Sequence, residues 1–369
     1  MKTKSFPSLN ADLSLLGYGL MRLPEKDGKI DFEQAHKLTD KAIENGVNYF
    51  DTAYMYHNGE SELFLNDVIK RHGRSSFYIA DKLPLWDCND KEYIDKTIEE
   101  QFRRLDVDYI DFYLLHGMGK DNWEKALKYD AIPTLEKLKK DGRIGRIGFS
   151  FHDNKQVLES MMQYEKWDFA YIQFNYFDYK RQKANELYQV LEKHNIPMVA
   201  MEPVRGGLLA NPPRGFGDEF KKQYPDRSVA SWALRYSGSF TNTCNVLSGM
   251  SNMEQVEDNL NIFNNFKPLN TEELALVKSV RNKIFDVDQI PCTNCAYCKS
   301  CPLDIDIQRC FGVYNEYKIM GNEDWYNGQK KEIKESGRGP EKCTACGMCV
   351  AKCPQKIEIP SRIKELIAE

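Results

Sequence analysis

The chain has 369 residues, 41% hydrophobic and 29% charged, which is enough apolar material for a sizeable core and enough length for two domains. Fifty-one basic and 55 acidic residues leave a net charge of −4, without the basic excess that a nucleic-acid binder carries. The first thirty residues hold no stretch apolar enough for a signal peptide, and no later run approaches the roughly 18 residues of a membrane span. The sequence therefore predicts a soluble, cytoplasmic protein with no membrane and no nucleic-acid partner.

In chain order, short apolar runs alternate with segments of helical period. Leu15–Leu20, Val47–Asp51, Phe77–Lys82, Ile110–His116, Ile144–Ser150, Phe169–Asn175, Met198–Glu202 and Asn245–Ser248 read as strands. Most are almost continuously apolar, as strands buried on both faces must be. Between them, Phe32–Glu44, Lys91–Leu105, Ile132–Lys140, Asn154–Gln163, Gln182–Lys193 and Met253–Phe263 carry apolar residues three and four apart, the pattern of helices covering a sheet. No G-x-G-x-x-G opens a helix after the first strand, which argues against a doubly wound dinucleotide fold. The alternation predicts an α/β chain with a (β/α)8 TIM barrel over residues 1–285.

Chemistry on such a barrel sits at the carboxyl ends of its strands. Those ends carry Asp51, Lys82, His116, Ser150, Gln173 and Asn175, and Tyr56 follows Asp51 by five positions. Tyrosine, with an ordinary pKa of about 10, is a poor proton donor near neutrality. A lysine ammonium about 4 Å away stabilises the phenolate by roughly 4 kcal/mol at an effective dielectric near 20, before competing costs. Asp51 would keep Lys82 charged, and His116 would hydrogen-bond a carbonyl oxygen. Any one of these residues alone is as readily a loop cap as a catalytic group; four converging at one mouth form a proton-donor site.

The stretches LGYGLMRLP (16–24), DTAYMYHNGESE (51–62), IADKLP (79–84), LLHGMG (114–119), IGFS (147–150) and SNMEQVEDN (251–259) resemble the aldo-keto reductase family across nearly all of residues 10–265. The resemblance implies an oxidoreductase that reduces a small-molecule carbonyl, or oxidises the alcohol, with NADPH or NADH. The family's catalytic tetrad falls on Asp51, Tyr56, Lys82 and His116. Ser150 and Gln173 would bind the nicotinamide carboxamide and Met201 would lie under its ring, with further cofactor contacts at Met21, Gly249, Ser251, Gln255 and Asn259. Four positions depart from the pattern. Phe151 stands where Asn usually follows the serine, and Met201 where many members stack a tyrosine. Gly249 and Gln255 replace the Lys and Arg that commonly grip a 2′-phosphate, so preference for NADP is not implied. Arg22 and Arg205 are candidate anion contacts, equally readable as loop braces.

Of eleven cysteines, only Cys88 and Cys244 precede residue 292, so composition itself divides the chain near 290. One run holds Cys292, Cys295, Cys298 and Cys301; the other holds Cys343, Cys346, Cys349 and Cys353. The second matches the bacterial ferredoxin spacing, in which three cysteines wrap one 4Fe–4S cluster and the fourth serves its neighbour. The first run is one residue short before its last cysteine. The assignment expected is Cys292, Cys295, Cys298 and Cys353 on one cluster and Cys343, Cys346, Cys349 and Cys301 on the other; zinc, which takes paired ligands, is the competing occupant. Helical periodicity at Ile305–Met320, Trp325–Lys334 and the closing IEIPSRIKELIAE makes residues 286–369 a small, mainly helical ferredoxin-like domain with two 4Fe–4S clusters. This tail resembles the ferredoxin-like extension of a subset of aldo-keto reductases. Cys310 reads as a small core residue and Cys88 as an incidental loop cysteine.

Three functions compete. The barrel works with nicotinamide alone; or it exchanges single electrons through the clusters with ferredoxin or a flavoprotein; or it is a redox or iron sensor with a non-catalytic barrel. A flavin would convert between hydride and one-electron chemistry, but the sequence carries no flavin fingerprint. The four intact residue types argue against a silent barrel.

Overall fold

A computed structural model describes every residue except 165, 166, 288, 293–296 and 354, and the side chains of 164, 213 and 297 as well are left out. The chain forms two compact units, Met1–Ala210 with Pro225–Ala275, and Asn211–Tyr224 with Leu276–Glu369. The second unit thus takes in a segment near residue 220 that composition did not mark.

The first unit opens with an antiparallel hairpin, β1 (Thr3–Phe6) and β2 (Ala11–Ser14). The following strands are β3 (Leu16–Gly19), the short pair β4 (Glu25–Lys26) and β5 (Lys29–Ile30), β6 (Tyr49–Asp51), β7 (Tyr78–Pro84), β8 (Ile110–Met118), β9 (Ile144–Phe151), β10 (Phe169–Gln173), β11 (Met198–Met201) and β12 (Thr243–Ser248). In chain order, β3 and β6 to β12 close into an eight-stranded parallel barrel, β12 pairing back onto β3. The helices up to residue 285 are α1 (Phe32–Glu44), α2 (Glu60–His72), α3 (Lys91–Leu105), α4 (Lys120–Lys128), α5 (Ala131–Lys140), α6 (Lys155–Tyr164), α7 (Asp178–Arg181), α8 (Ala184–Lys193), α9 (Asp218–Gln223), α10 (Val229–Gly238), α11 (Met253–Asn264) and α12 (Thr271–Phe285). Of these, α9 and the part of α12 from Leu276 onward belong to the second unit.

Every strand and helix expected over the barrel is present. β10 ends two residues earlier than its apolar run suggests, because the Asn175 side chain accepts from the backbone N–H groups of Phe177 and Asp178 and turns the chain there. Leu9, Ala11 and Leu13 of the hairpin join Tyr49, Phe112, Phe169, Tyr171 and Val199 in one buried cluster, so the amino-terminal end of the barrel is plugged and the chemistry is confined to the other end.

In the second unit, α13 (Ile307–Met320), α14 (Glu323–Glu335) and α15 (Ile359–Ala368) surround a core of Ile290, Ile305, Phe311, Tyr314, Tyr326, Ile333, Ile357 and Ile363. Asp306 caps α13 by accepting from Arg309 N, which moves its start to Ile307, and Asn322 caps α14 in the same way. Asn315 grips both the N–H and the carbonyl of Ile290 at 2.8 Å. Among the described residues no helix is long and apolar enough to cross a membrane.

Close packing makes one glycine a test of the barrel. A Cβ at Gly145 of β9 would stand 2.6 Å from the Asp111 carbonyl oxygen, and backbone cannot swing aside. Gly145→Ala is expected to cost about 1–3 kcal/mol, seen as a lower urea midpoint with the slope unchanged.

Candidate active site and candidate metal centre

At the carboxyl ends of the strands lies a cleft of about 950 Å³, open to solvent, into which Asp51, Tyr56, Lys82 and His116 all project. Asp51 ends β6, Lys82 lies within β7 and His116 lies near the end of β8, so three neighbouring strands deliver three of the four groups. Tyr56 arrives on the turn that follows β6. His57, Asn58 and Gly59 all take positive φ, at 50°, 55° and 91°, and this left-handed turn hands the chain to α2. Glu25 of β4 pins the turn through His57 Nδ1 at 2.8 Å.

Lys82 is the hub. Its Nζ donates to Asp51 Oδ1 and to the Thr52 carbonyl, both at 2.6 Å, and lies 4.6 Å from the centre of the Tyr56 ring. Burial would lower the lysine, but the charge and hydrogen bond of Asp51, together with those of Tyr56, outweigh it and hold Lys82 protonated. Burial pushes the Tyr56 hydroxyl above the ordinary phenol range, and the pull of Lys82 only partly offsets it. The balance differs from the expectation of a depressed phenol: Tyr56 keeps its proton at neutral pH. The His116 ring stands edge-on to Tyr56 with centroids 5.9 Å apart, and Trp86 packs on its other side at 5.0 Å. Burial and the Lys82 charge hold His116 well below the ordinary imidazole range, so it is neutral, and its Nδ1 is buried without a partner among the described residues.

Sequence reasoning missed how Asp51 is held. Tyr171 donates its hydroxyl to Asp51 Oδ2 at 2.9 Å, and Tyr49 meets the Tyr171 hydroxyl at 2.6 Å. All three are buried inside the barrel. Tyrosines inside apolar strands read as core residues, and only their inward register on β6 and β10 would have pointed to this chain of hydroxyls.

The expected cofactor residues divide. Met21, Ser150, Met201 and Gly249 line the cleft with the tetrad. Ser150 Oγ accepts from Gly117 N at 2.8 Å, which leaves its own proton free to donate. Phe151 is buried, whereas His152, two residues after Ser150, lines the cleft; it is a cleft residue that the sequence reading missed. Gln173 instead donates to the buried Asp178 at 2.8 Å, and Arg205 reaches the same carboxylate at 3.3 Å. Ser251 Oγ donates to the Arg22 carbonyl, Gln255 accepts from Ser251 N, and Asn259 donates to Ser248 Oγ. Arg22 lines the cleft and pairs with Glu202 at 3.2 Å. The donor set fits a nicotinamide: flat sulfur-rich and apolar walls from Met21, Met55, Met201 and Leu247 stand beside a free hydroxyl donor.

In the second unit, Cys298, Cys301, Cys343, Cys346 and Cys349 line a cavity walled by Leu303, Ile305, Ile307 and Ile363. Cys292 and Cys353 pack on the same core, and Cys295 lies outside the described residues. Burial raises the Cys349 thiol, and the sulfurs of Cys343, Cys301 and Cys346 act on it in the same direction, so the four expected to share one cluster are near neighbours. Ala345 and Gly347, at φ 56° and 76°, wrap the chain between the ligands. No group of three described residues is arranged to hold a single metal ion. An all-thiol set spread around one apolar-walled cavity fits an iron–sulfur cube. Cys310 is buried in α13 with its thiol pushed up to about 12, and Cys88 is buried beside the Asp90 carbonyl.

Closed parallel barrel, tetrad and thiol cavity together define an oxidoreductase barrel joined to an iron–sulfur module, and comparison with known proteins agrees. Residues 15–282 match the Aldo/keto reductase family and residues 291–358 the 4Fe-4S dicluster domain, so the chain belongs to the aldo-keto reductases and carries a 4Fe–4S dicluster domain. It is 29% identical to the Bacillus subtilis oxidoreductase YqkF over 76% of this chain and 96% of that protein. It is 24% identical to the NADH-specific methylglyoxal reductase of Escherichia coli over 57% of this chain and 69% of the relative. Among solved structures, an aldo-keto reductase of Bacillus halodurans in its holo form superposes with TM-score 0.64 at 26% identity, covering 76% of this chain and 96% of its own. An aldo-keto reductase of Klebsiella pneumoniae in complex with NADPH shares the fold at TM-score 0.63 and 21% identity, covering 76% and 96%.

The tyrosine chain yields a thermodynamic cycle. Tyr171→Phe strands both Asp51 Oδ2 and the Tyr49 hydroxyl, and is expected to cost about 1–3 kcal/mol. Tyr49→Phe should cost less, because Tyr171 keeps Asp51. In the double variant the loss should fall short of the sum of the two, measured by urea denaturation; strict additivity would show that the hydroxyls do not interact.

Proposed function

We propose that the barrel, residues 1–285, reduces the carbonyl of a small molecule, or oxidises the corresponding alcohol, with NADPH or NADH, and that Tyr56 is the general acid. One observation carries this reading: Asp51, Tyr56, Lys82 and His116 reach a single cleft in a chain of this family. A nicotinamide, when bound, supplies the hydride. The chain's own groups manage the proton. Neutral His116 hydrogen-bonds the substrate carbonyl oxygen and fixes its direction. Tyr56, which holds its proton at neutral pH, donates it to that oxygen. Lys82, kept charged by Asp51, stabilises the phenolate left behind. Ser150 would hold the carboxamide and Met201 the ring face, with Met21 and Gly249 along the same wall; Gln173, Ser251, Gln255 and Asn259 complete the proposed cofactor set. The Escherichia coli relative, an NADH-specific methylglyoxal reductase, supports a nicotinamide and a small carbonyl substrate.

We assign two 4Fe–4S clusters to residues 286–369, one held by Cys343, Cys346, Cys349 and Cys301, the other by Cys292, Cys295, Cys298 and Cys353. A 4Fe–4S cluster, when bound, takes or gives one electron, whereas the barrel's chemistry moves two as a hydride, so the clusters stand outside the hydride step. A second reading has a specific support: Cys346 is exposed and Met348 is half exposed at the rim of the thiol cavity, where a ferredoxin or flavoprotein could exchange electrons. Single turnover with reduced protein, substrate and no nicotinamide separates the two. No product supports the nicotinamide reading, and stoichiometric product supports the second.

Tyr56→Phe is expected to lower carbonyl reduction by about 10²–10⁴-fold while nicotinamide still binds in a fluorescence titration. Wild-type turnover in that variant would remove the acid assignment. Protein purified without oxygen is expected to hold about eight iron and eight inorganic sulfide per chain, two cubes of four. Stoichiometric zinc in their place would overturn the cluster assignment.

A further inference from the structure

Directly behind the catalytic lysine, on the opposite face of β7, two carboxyl groups are buried together. Asp81 and Glu62 are both fully buried, Asp81 on β7 and Glu62 in the first turn of α2. One oxygen of each is well partnered. Asp81 Oδ1 accepts from Lys82 N at 2.8 Å, and Glu62 Oε2 accepts from Arg104 Nη1 at 2.7 Å. The other two, Asp81 Oδ2 and Glu62 Oε1, are buried without a well-formed hydrogen bond among the described residues, the Gln101 side chain acting only weakly on Glu62. The two side chains nonetheless lie within hydrogen-bond reach of one another. Two carboxylates so placed would set like charges oxygen to oxygen in a dry interior, which such pairs avoid by keeping a proton between them.

We propose that Asp81 and Glu62 share one proton, Asp81 as the neutral acid donating from Oδ2 to the Glu62 carboxylate, and that this acid pair positions the catalytic lysine and tyrosine. The partition follows from the neighbours. Arg104 of α3 supplies the positive charge that keeps Glu62 ionised, and its Nε is held by Glu100 at 2.8 Å. Asp81 has no cation of its own: Lys82 turns its ammonium to Asp51 on the other face and offers Asp81 only a backbone N–H. Burial, reinforced by the Glu62 charge, pushes Asp81 well above the usual carboxylate range. Burial likewise raises Glu62, against the pull of Arg104. The remaining titratable neighbour, Tyr113 of β8, is raised by burial and stays neutral, donating to Gln101 Oε1; Glu99 and Arg143 beyond it pair with each other.

The pair has a mechanical consequence. Asp81 takes the Lys82 N–H and Gln101 donates to the Lys82 carbonyl at 3.0 Å, so side chains hold both backbone groups of the lysine. Arg104, fixed by Glu62, donates to the Tyr54 carbonyl at 2.9 Å and stacks on the Tyr54 ring at 4.3 Å, two residues before Tyr56. A Cβ at Gly59 would come within 2.7 Å of Arg104 Nη1, so the turn after Tyr56 is built around this arginine. The shared proton is thereby connected to the two groups that must face one another across the cleft. The effect on turnover rests on the function proposed above; the proton itself does not.

Two measurements on the full, cluster-loaded chain test this. A folded chain that keeps a proton which unfolded Asp81 releases above about pH 4 loses stability as pH rises towards the pair's raised pKa. Relative to Asp81→Asn, which cannot titrate, the wild-type folding constant should fall by about tenfold per pH unit over that window. Parallel curves would overturn the shared proton. Should the variant fail to fold, isotope-edited infrared spectra of wild type decide instead: a protonated carboxyl band at neutral pH is expected, and its absence overturns the proposal. For the positioning role, Asp81→Leu should lower kcat by up to about 10²-fold with a smaller change in KM, and Asp81→Asn, which keeps the shape and the donor, should recover most of that loss. Equal rates in wild type and Asp81→Leu would refute positioning. Wild-type turnover in Tyr56→Phe would refute the function reading and leave the pH slope unaffected, so the two failures are separable.

Discussion

Burying an ammonium at the centre of a barrel is the constraint to which the rest of the first unit answers. Lys82 has a side chain only 3% exposed, and removing such a charge from water costs several kcal/mol unless its partner is close and rigid. Asp51 supplies the counter-charge at 2.6 Å, but a lone buried carboxylate would move the problem rather than solve it. Tyr171 answers for the second oxygen of Asp51 and Tyr49 answers for Tyr171, so the charge is passed down a column of hydroxyls into the plugged end of the barrel. What remains unspent is the outward side of the ammonium, and Tyr56 is placed there. The arrangement in the cleft is thus the visible end of a satisfied buried network.

That network explains which parts of the molecule could be read from the sequence. The strands showed because parallel strands covered on both faces must be apolar throughout, and Asp51, Lys82 and His116 showed because they lie at or near the ends of those strands, with Tyr56 close behind the first. Asp81 did not. In IADKLP it sits beside Lys82 and looks like an exposed strand-end charge, yet it faces the helical layer, where Glu62, Arg104 and Gln101 wait on two helices remote in sequence. Period-two alternation places Asp81 opposite Lys82, but no local pattern tells that the opposite face is dry. His152 is hidden in the sequence for a related reason: the family pattern points to Phe151, the residue after Ser150, although alternation turns that residue into the core and returns the next one to the cleft.

The second unit was legible in a different way. Spacing within the second cysteine run is a local property, and it survives translation into structure because a turn with left-handed residues at Ala345 and Gly347 can wrap ligands separated by two residues around a common centre. What spacing cannot specify is the wall. Leu303, Ile305 and Ile307 come from the segment between the two cysteine runs and Ile363 from α15 beyond the second, and their joint contribution is to keep the thiol cavity apolar. An apolar wall raises the cost of net charge, so it tunes how readily a bound centre would accept an electron, whereas the exposed rim at Cys346 and Met348 sets how close a partner could come.

Both units solve the same electrostatic problem with different materials. In the barrel, charge is buried deliberately and each member of the set is answered by a hydrogen-bond donor, a counter-ion or, at Asp81 and Glu62, a retained proton. The last device differs in kind, because it ties the geometry around Lys82 to a proton held behind it, on Asp81 and Glu62. An ion pair such as Lys82 and Asp51 is self-stabilising: each charge holds the other ionised. An acid–carboxylate pair is not, since each negative charge makes the second ionisation harder while Arg104 favours only one of them. Placing such a pair behind the lysine gives β7 and the Tyr54–Tyr56 loop a rigid common anchor across the range in which the proton is kept. It also sets an upper pH at which that anchor must open, independently of the titration of Tyr56.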